Sequence, residues 1–256
     1  NRARQLARMA LRRAARSSRT ARADAPAARA RAEAEPTDLR ARVLQAAVEL
    51  IEERGLADLS MREVARLAGV SHQAPYHHFA DREAILAAIA EEGFTLLAER
   101  LSSARAGAAS ATDMMARAGE AYVRFAFEHP AHFRVMFRAD FVDMDRFPEA
   151  RACGDRAFDA LPEIVRATAA EGLPTTPSEM AHVVLHWSLC HGLACLVLDG
   201  PLAKKLPELA GAREALTHDV MTIMRGLVEA RIAAERGKRE GARRARETGA
   251  RARRGR

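Results

Sequence analysis

The densest group of side chains able to do chemistry is His182, His186 and Cys190, spaced every four residues. On a helix that spacing sets all three near one face, and imidazole and thiolate are ligands for zinc or copper. A metal- or thiol-responsive regulator built on these three residues is therefore one alternative reading. One straight helix brings at most two such ligands comfortably to a single ion, and no carboxylate or second Cys pair completes the set, so the expectation is that no metal is held. Cys190 and Cys195 would lie about 140° apart around a helix, which does not suit a disulfide. Enzymatic signatures are missing from the sequence. There is no Gly-rich phosphate loop and no nucleophile elbow, and Val183, Val184 and Leu185 fill the interval where a His-Glu-x-x-His site needs its glutamate. A helical enzyme is the weakest alternative, and no cofactor is implied.

A second group points to recognition rather than catalysis. Residues 60 to 79, SMREVARLAGVSHQAPYHHF, read as a helix opened by the capping box Ser60–Glu63, a turn on Gly69, and a further helix capped by Ser71 and running to about Phe79. Val64, Ala65 and Ala68 would pack inward, leaving Ser71, His72, Gln73, Tyr76 and His77 toward solvent. Gln73 could reach base edges in a major groove, and Ser71 and Tyr76 suit phosphates. Pro75 lacks an N–H close to the first bonded turn, which leaves the pitch of that helix open.

These groups need helices to position them. Apolar residues recur at helical spacing in segment after segment with no sustained alternation, so the fold class expected is all-α. Leu39, Val43, Ala47, Leu50 and Ile51 stripe a first helix that Gly55 ends. Asp81 opens a long helix to about residue 104. Further helices are expected at about 112–128, 130–138, 149–171, 177–199 and 211–235, the fourth of these introduced by the capping box Thr176-Pro177-Ser178-Glu179.

The chain has 256 residues and a net charge of +7. The charge is unevenly spread: residues 1–35 carry +7, residues 236–256 carry +8, and the body between them carries −8. Both ends are rich in Ala and Arg with almost no large apolar side chains, so both are expected to be disordered basic tails. Three cysteines at no framework spacing fit a reduced, cytoplasmic protein. No window holds 18 uninterrupted apolar residues, so no membrane span and no membrane partner are expected.

The segment from Leu39 to Phe94 resembles the DNA-binding domain of the TetR family of bacterial transcriptional regulators. The resemblance rests on Ala46-Ala47, Gly55, the Ser60–Gly69 helix, Gly69-Val70-Ser71, Tyr76 followed by His78-Phe79, and Asp81-Arg82-Glu83. His186-Trp187-Ser188-Leu189-Cys190-His191-Gly192-Leu193 resembles the Trp-x-x-x-His-Gly signature of one C-terminal regulatory domain of that family. The resemblance implies a helix-turn-helix domain over 36–82, a helical effector-binding and dimerisation domain over 83–235, and a homodimer that binds a palindromic DNA operator and is released by a small effector. Carried over position by position, Ser71, His72, Gln73, Tyr76 and His77 face DNA, Ser60 and Arg62 lie near phosphates, and Arg82 supplies a phosphate contact where the family often has lysine. The dimer would form through the last two long helices, where Val220, Ile223, Met224, Leu227 and Ile232 stripe the final one.

Residues 36–100 hold 7 Arg and 11 acids, so few phosphates can be neutralised except near Arg62, Arg66 and Arg82. The basic segment 1–35 would add nonspecific phosphate contacts through counterion release. An apolar effector cavity is expected among the aromatic and Met residues of the second half, with Phe125, Phe133 and Phe137 as walls. Tyr122, His129, Trp187 and His191 would be its polar contacts. An acidic body favours a neutral or cationic ligand.

Overall fold

The computed structural model describes residues 36–254, apart from residues 177, 201, 203, 204 and 206–208. Expectations for residues 1–35 lie outside the described residues. Among those described there are eight α-helices and no strand: α1 (Pro36–Arg54), α2 (Met61–Leu67), α3 (Arg82–Ala106), α4 (Ala111–Glu128), α5 (Pro130–Met136), α6 (Pro148–Ala170), α7 (Glu179–Leu198) and α8 (Leu209–Arg254). Short 3-10 turns lie at Leu56–Asp58, Ala74–His77 and Met144–Arg146.

The helix starts follow local chemistry. Ser60, Asp81, Ser110 and Ser178 are extended and accept the N–H three residues on, so each satisfies one free donor of the first turn. Two details depart from the sequence reading. Ser178, not Thr176, caps α7, because the Ser178 backbone is the extended one. The Ser60 box is half formed: its hydroxyl takes the Glu63 N–H at 3.3 Å, but the Glu63 carboxylate is drawn to Arg54 and Arg66.

α1 and α2 close a small core through Val43, Ala47, Leu50, Ile51 and Val64, all essentially buried. α3 is the shared spine. Its first turn belongs to this small unit, and the rest packs along α6, α4 and α5. α4 carries a strongly buried face, with Val123, Phe125 and Ala126 excluded from solvent. α7 and α8 lie against α4 from the other side. Gly119 on α4 lets that layer close, since a Cβ there would come within 3.1 Å of Cys190 Sγ and closer still to Met221.

One expectation is overturned. Residues 236–254 continue α8 as helix instead of forming a disordered tail. α7 is, by length and composition alone, long and apolar enough to cross a membrane, with a mean hydropathy of 1.6. Counting uninterrupted apolar residues missed it because His182, His186, Ser188 and His191 break the run. In the fold α7 packs on α4, α6 and α8.

Candidate nucleic-acid interface and effector cavity

The turn between α2 and the next segment is built by Gly69, whose φ of 67° is in the left-handed region that glycine adopts without strain. Its N–H donates to Arg66 O and the following Val70 N–H to Ala65 O, closing the end of α2. Arg42 on α1 donates to Ala68 O at 2.6 Å and fixes α2 against α1.

Beyond the turn the structure differs from the expected recognition helix. Residues 74–77 form a 3-10 turn, and no side chain caps it, Ser71 included. Ala74 N–H bonds Ser71 O, Tyr76 N–H bonds Gln73 O and His78 N–H bonds Pro75 O, each spanning three residues. Pro75 supplies the cause. An α-helical bond from position 75 back to Ser71 O would need an N–H that proline lacks, and Ala74 takes that carbonyl instead. Pro75 and Phe79 are buried and anchor the segment, while Ser71, His72, Gln73, Tyr76 and His77 face solvent together with Ser60 and Arg62. The His72 and Tyr76 rings sit 6.1 Å apart on this face.

Of the three cations expected on this face, Arg62 alone among the described residues makes neither an ion pair nor a hydrogen bond. Arg66 is paired with Glu63 at 3.0 Å, which holds the Glu63 carboxyl below the usual carboxylate range. Arg82 is not a free phosphate contact. Its guanidinium donates to Leu56 O at 2.5 Å and lies 5.3 Å from the Phe141 ring centre, and its Nε is buried without a partner. It ties the helix-turn-helix unit to the loop between α5 and α6.

That loop docks on the first turn of α3 by three further contacts. Asp143 N–H donates to Glu83 Oε1 at 2.9 Å, Arg146 pairs with Glu83, and Arg146 also lies 3.6 Å from Asp81. The same loop walls a cavity of about 640 Å³. Met136, Phe137, Val142, Asp143 and Met144 line one side, and Trp187, Ser188 and His191 of α7 line the other. Arg138, also in the wall, is held bidentately by Asp140 at 2.8 Å. A smaller cavity of about 280 Å³ shares Phe137 and Trp187 and is otherwise lined by Phe94, Tyr122, Phe158, Asp155 and neighbouring small and aliphatic groups.

Three groups cross between α4 and α7 here. Tyr122 OH is 2.9 Å from His191 Nδ1, and Trp187 Nε1–H donates to the same hydroxyl at 3.3 Å. Burial pushes the Tyr122 phenol well above its usual range and His191 below its own, so a protonated phenol faces a neutral imidazole. With the ring proton on Nε2, the phenol O–H donates to Nδ1; with it on Nδ1, the phenol oxygen accepts from the ring. Phe137 is edge-on to His191 at 4.9 Å.

The other expected effector residues are placed elsewhere. Phe125 is fully buried in the core and lines neither cavity, because α4 turns it toward His129. His129 ends α4 and meets Arg100 at 3.0 Å. Phe133 packs behind the cavity wall against Tyr122, Phe137 and His191. Sequence reasoning missed Asp143 and Arg146 of the loop and their pairing with Glu83; the only signal for the loop was a charged stretch between Phe141 and Phe147.

The His182–His186–Cys190 alternative meets a different environment. Burial lowers His186 to about 4 and raises Cys190 to about 12, which leaves a neutral imidazole beside a thiol rather than a thiolate ligand. Among the described residues no three His, Cys, Asp or Glu side chains are arranged to hold a metal ion. His182 and His186 instead border an apolar groove of about 440 Å³ between α6, α7 and α8. Leu185, Ile223 and Leu227 on this side are 68%, 63% and 69% exposed. The expected stripe on the last helix is thus divided: Ile232 packs inside the chain, whereas Ile223 and Leu227 do not.

Comparison with known proteins matches this architecture. Residues 43–89 match the family described as bacterial regulatory proteins, tetR family, and residues 115–220 match the tetracyclin repressor-like C-terminal domain. A protein of unknown function from Rhodococcus sp. RHA1 is 30% identical, with 74% of this chain and 93% of that one covered and a TM-score of 0.60. The TetR family transcriptional regulator PfmR from Thermus thermophilus is 22% identical, covering 73% and 96% at a TM-score of 0.57. The transcriptional regulator FadR from Bacillus subtilis, solved in complex with stearoyl-CoA, shares the fold at 16% identity, covering 71% and 95% at a TM-score of 0.59. With a helix-turn-helix unit, a helical C-terminal domain and matches to both family regions, the chain belongs to the TetR family of DNA-binding transcriptional regulators.

Proposed function

We propose that the protein is a homodimeric cytoplasmic repressor that binds a palindromic operator through residues 36–82 and is released from it by a small, largely apolar effector bound within residues 83–235. The observation that carries this reading is the double role of the loop between α5 and α6, which walls the 640 Å³ cavity and also docks on Asp81, Arg82 and Glu83 at the base of the DNA-binding unit. A ligand that displaces Asp143 or Met144 therefore loosens the same contacts that set the angle of the helix-turn-helix. The coupling equals the difference in ligand affinity between the docked and undocked loop.

The cavity chemistry favours an uncharged or cationic aromatic or aliphatic effector. Phe137, Trp187, Met136 and Met144 offer apolar surface, His191 and Ser188 offer hydrogen bonds, and Asp143 and Asp145 stand at the rim. FadR was solved with stearoyl-CoA, whose phosphates need cations, whereas Arg138, the guanidinium in this wall, is already paired with Asp140. The Trp187–His191–Gly192 sequence fits a regulatory domain of the Trp-x-x-x-His-Gly type, since both rings meet Tyr122 at the cavity.

The dimer reading rests on Leu185, Ile223 and Leu227, an apolar face that a second copy would cover. The test is selection of bound duplexes from a random pool with the full chain. Enrichment of a palindrome with half-sites about 10 bp or more apart is expected for two recognition segments related by a two-fold axis. Absence of any enriched sequence would overturn the reading. A compound screen read by Trp187 fluorescence and operator release then identifies the effector class.

A further inference from the structure

The DNA-reading face lies at one pole of the molecule, and α8 leaves the body at the other. α3 starts at the DNA-binding unit and runs 25 residues to Ala106, about 37 Å at 1.5 Å per residue. At its far end α4 begins and α6 ends, joined by the Glu171 carboxylate accepting the Ala111 N–H at 2.7 Å. α8 passes this point at Ile232, whose methyl lies 3.5 Å from a Cβ built on Gly172, and at Arg236, which donates to Glu171 O at 2.8 Å. From there the helix continues to Arg254, adding about 27 Å beyond the body.

Among the described residues, the extension buries no side chain between 237 and 248. Residues 237–254 contain no apolar side chain larger than alanine and carry eight cations against two acids. Every residue from 237 to 248 is exposed. Lys238 pairs with Glu235, and Arg243 approaches Glu247 at 3.7 Å. Among the described residues Arg239, Arg244 and Arg246 have no acidic partner. Arg239, Arg243 and Arg246 fall at i, i+4 and i+7, within about 60° of one another around the helix, and so form a ridge of guanidinium groups along one side.

We infer that this helical extension binds a second segment of duplex DNA through its phosphates, independently of sequence, so that a protein seated on its operator also holds a distant stretch of duplex. A row of arginines at one helix face matches a regular line of phosphates in charge and shape. An anionic membrane surface is the poorer fit, because an interfacial helix needs an apolar face and this one has none. The operator itself is out of reach, since the extension points away from Gln73 across the length of the body.

The inference rests on the regulator reading only for the word operator, and the experiment separates the two. The full chain is compared with the variant Arg239→Gln, Arg243→Gln, Arg244→Gln, Arg246→Gln, which keeps good helix formers at all four positions. Operator duplex is immobilised, protein is bound, and capture of a labelled duplex of unrelated sequence is measured against salt. The full chain is expected to capture the second duplex. The variant is expected to lose more than tenfold in capture, with the log–log salt slope reduced by about 3 for the three lost ridge contacts. Operator affinity of the two proteins should agree within twofold. Equal capture by both proteins overturns the inference, as does a parallel loss of operator affinity, which would place the extension on the operator. Binding of the full chain, but not the variant, to phosphatidylserine vesicles with no difference in duplex capture would assign the ridge to membranes and also overturn it. Failure of the full chain to bind any operator, with capture of unrelated duplex on bare beads still dependent on the four arginines, would refute the regulator reading alone.

Discussion

Arg82 separates two accounts of the same residue, and replacing it tests the tie between domains. In the structure its guanidinium donates to Leu56 O, 26 residues earlier in the chain, and stacks 5.3 Å from the centre of Phe141. A hydrogen bond from a charged donor contributes about 1.5–3 kcal/mol and a partly buried cation–π contact about 0.5–1 kcal/mol. Removing the side chain also relieves a buried, unpartnered Nε, which offsets roughly 1–2 kcal/mol of that. Arg82→Ala should therefore cost about 1–2 kcal/mol and lower Tm by roughly 2–8 °C for a protein of this size. Arg82→Lys should cost nearly as much, because an ammonium cannot donate to Leu56 O while lying flat on Phe141. In both variants the slope of operator affinity against salt should match the parent, measured by fluorescence anisotropy from about 50 to 200 mM salt. A phosphate contact behaves otherwise: Ala would reduce the slope by about 2 for a dimer, Lys would restore it, and Tm would not move. That pattern would refute the tie.

Three further outcomes follow from the geometry. His186 is held neutral at about 4 by burial, below the usual value for histidine of about 6.5, so protonation favours the unfolded chain. Its contribution is complete above pH 6.5 and fades as pH falls toward 4, by up to about 3 kcal/mol, and denaturant melts of His186→Phe should show a flatter acid limb. Tyr122→Phe removes the hydroxyl shared by Trp187 and His191, which should lower stability by about 1–2 kcal/mol and shift the effector response while operator affinity in its absence stays the same. An unaltered effector response would take Tyr122 out of the cavity reading. Leu227→Glu places a charge on the exposed apolar face and should convert a dimer to monomers by sedimentation, with loss of operator affinity beyond a hundredfold; a variant that still sediments as a dimer moves the interface elsewhere.

Features set by neighbours in sequence were legible, and features set by distant partners were not. Ser60 and Asp81 open helices by accepting an N–H three residues away, a relation the sequence displays directly. The cavity positions Phe137, Trp187 and His191 could be placed because aromatic groups at helical spacing cluster where helices face one another. Phe125 shares that spacing but turns into the core, a matter of how α4 is rotated against α3, which no local pattern records. Arg82 looked like a phosphate contact because its partners, Leu56 O and Phe141, come from separate parts of the chain. The basic end was misread for a different reason. A segment without apolar residues cannot build a core, yet Ala, Arg, Lys and Glu are strong helix formers, and a helix already anchored at Ile232 extends through them without a new nucleus.

The tight turn at Pro75 limits how much the protein can spell. A 3-10 turn rises about 2.0 Å per residue, so the four residues Ala74–His77 cover about 8 Å, little more than two base steps. In the proposed dimer each half of the recognition surface would therefore read a short word. Short words recur throughout a genome, and what makes an address out of two of them is the interval at which they are repeated and the stiffness of the DNA between. Vocabulary is traded for punctuation, and changes in the spacing of the half-sites should alter which genes answer to this protein more than changes in the letters themselves.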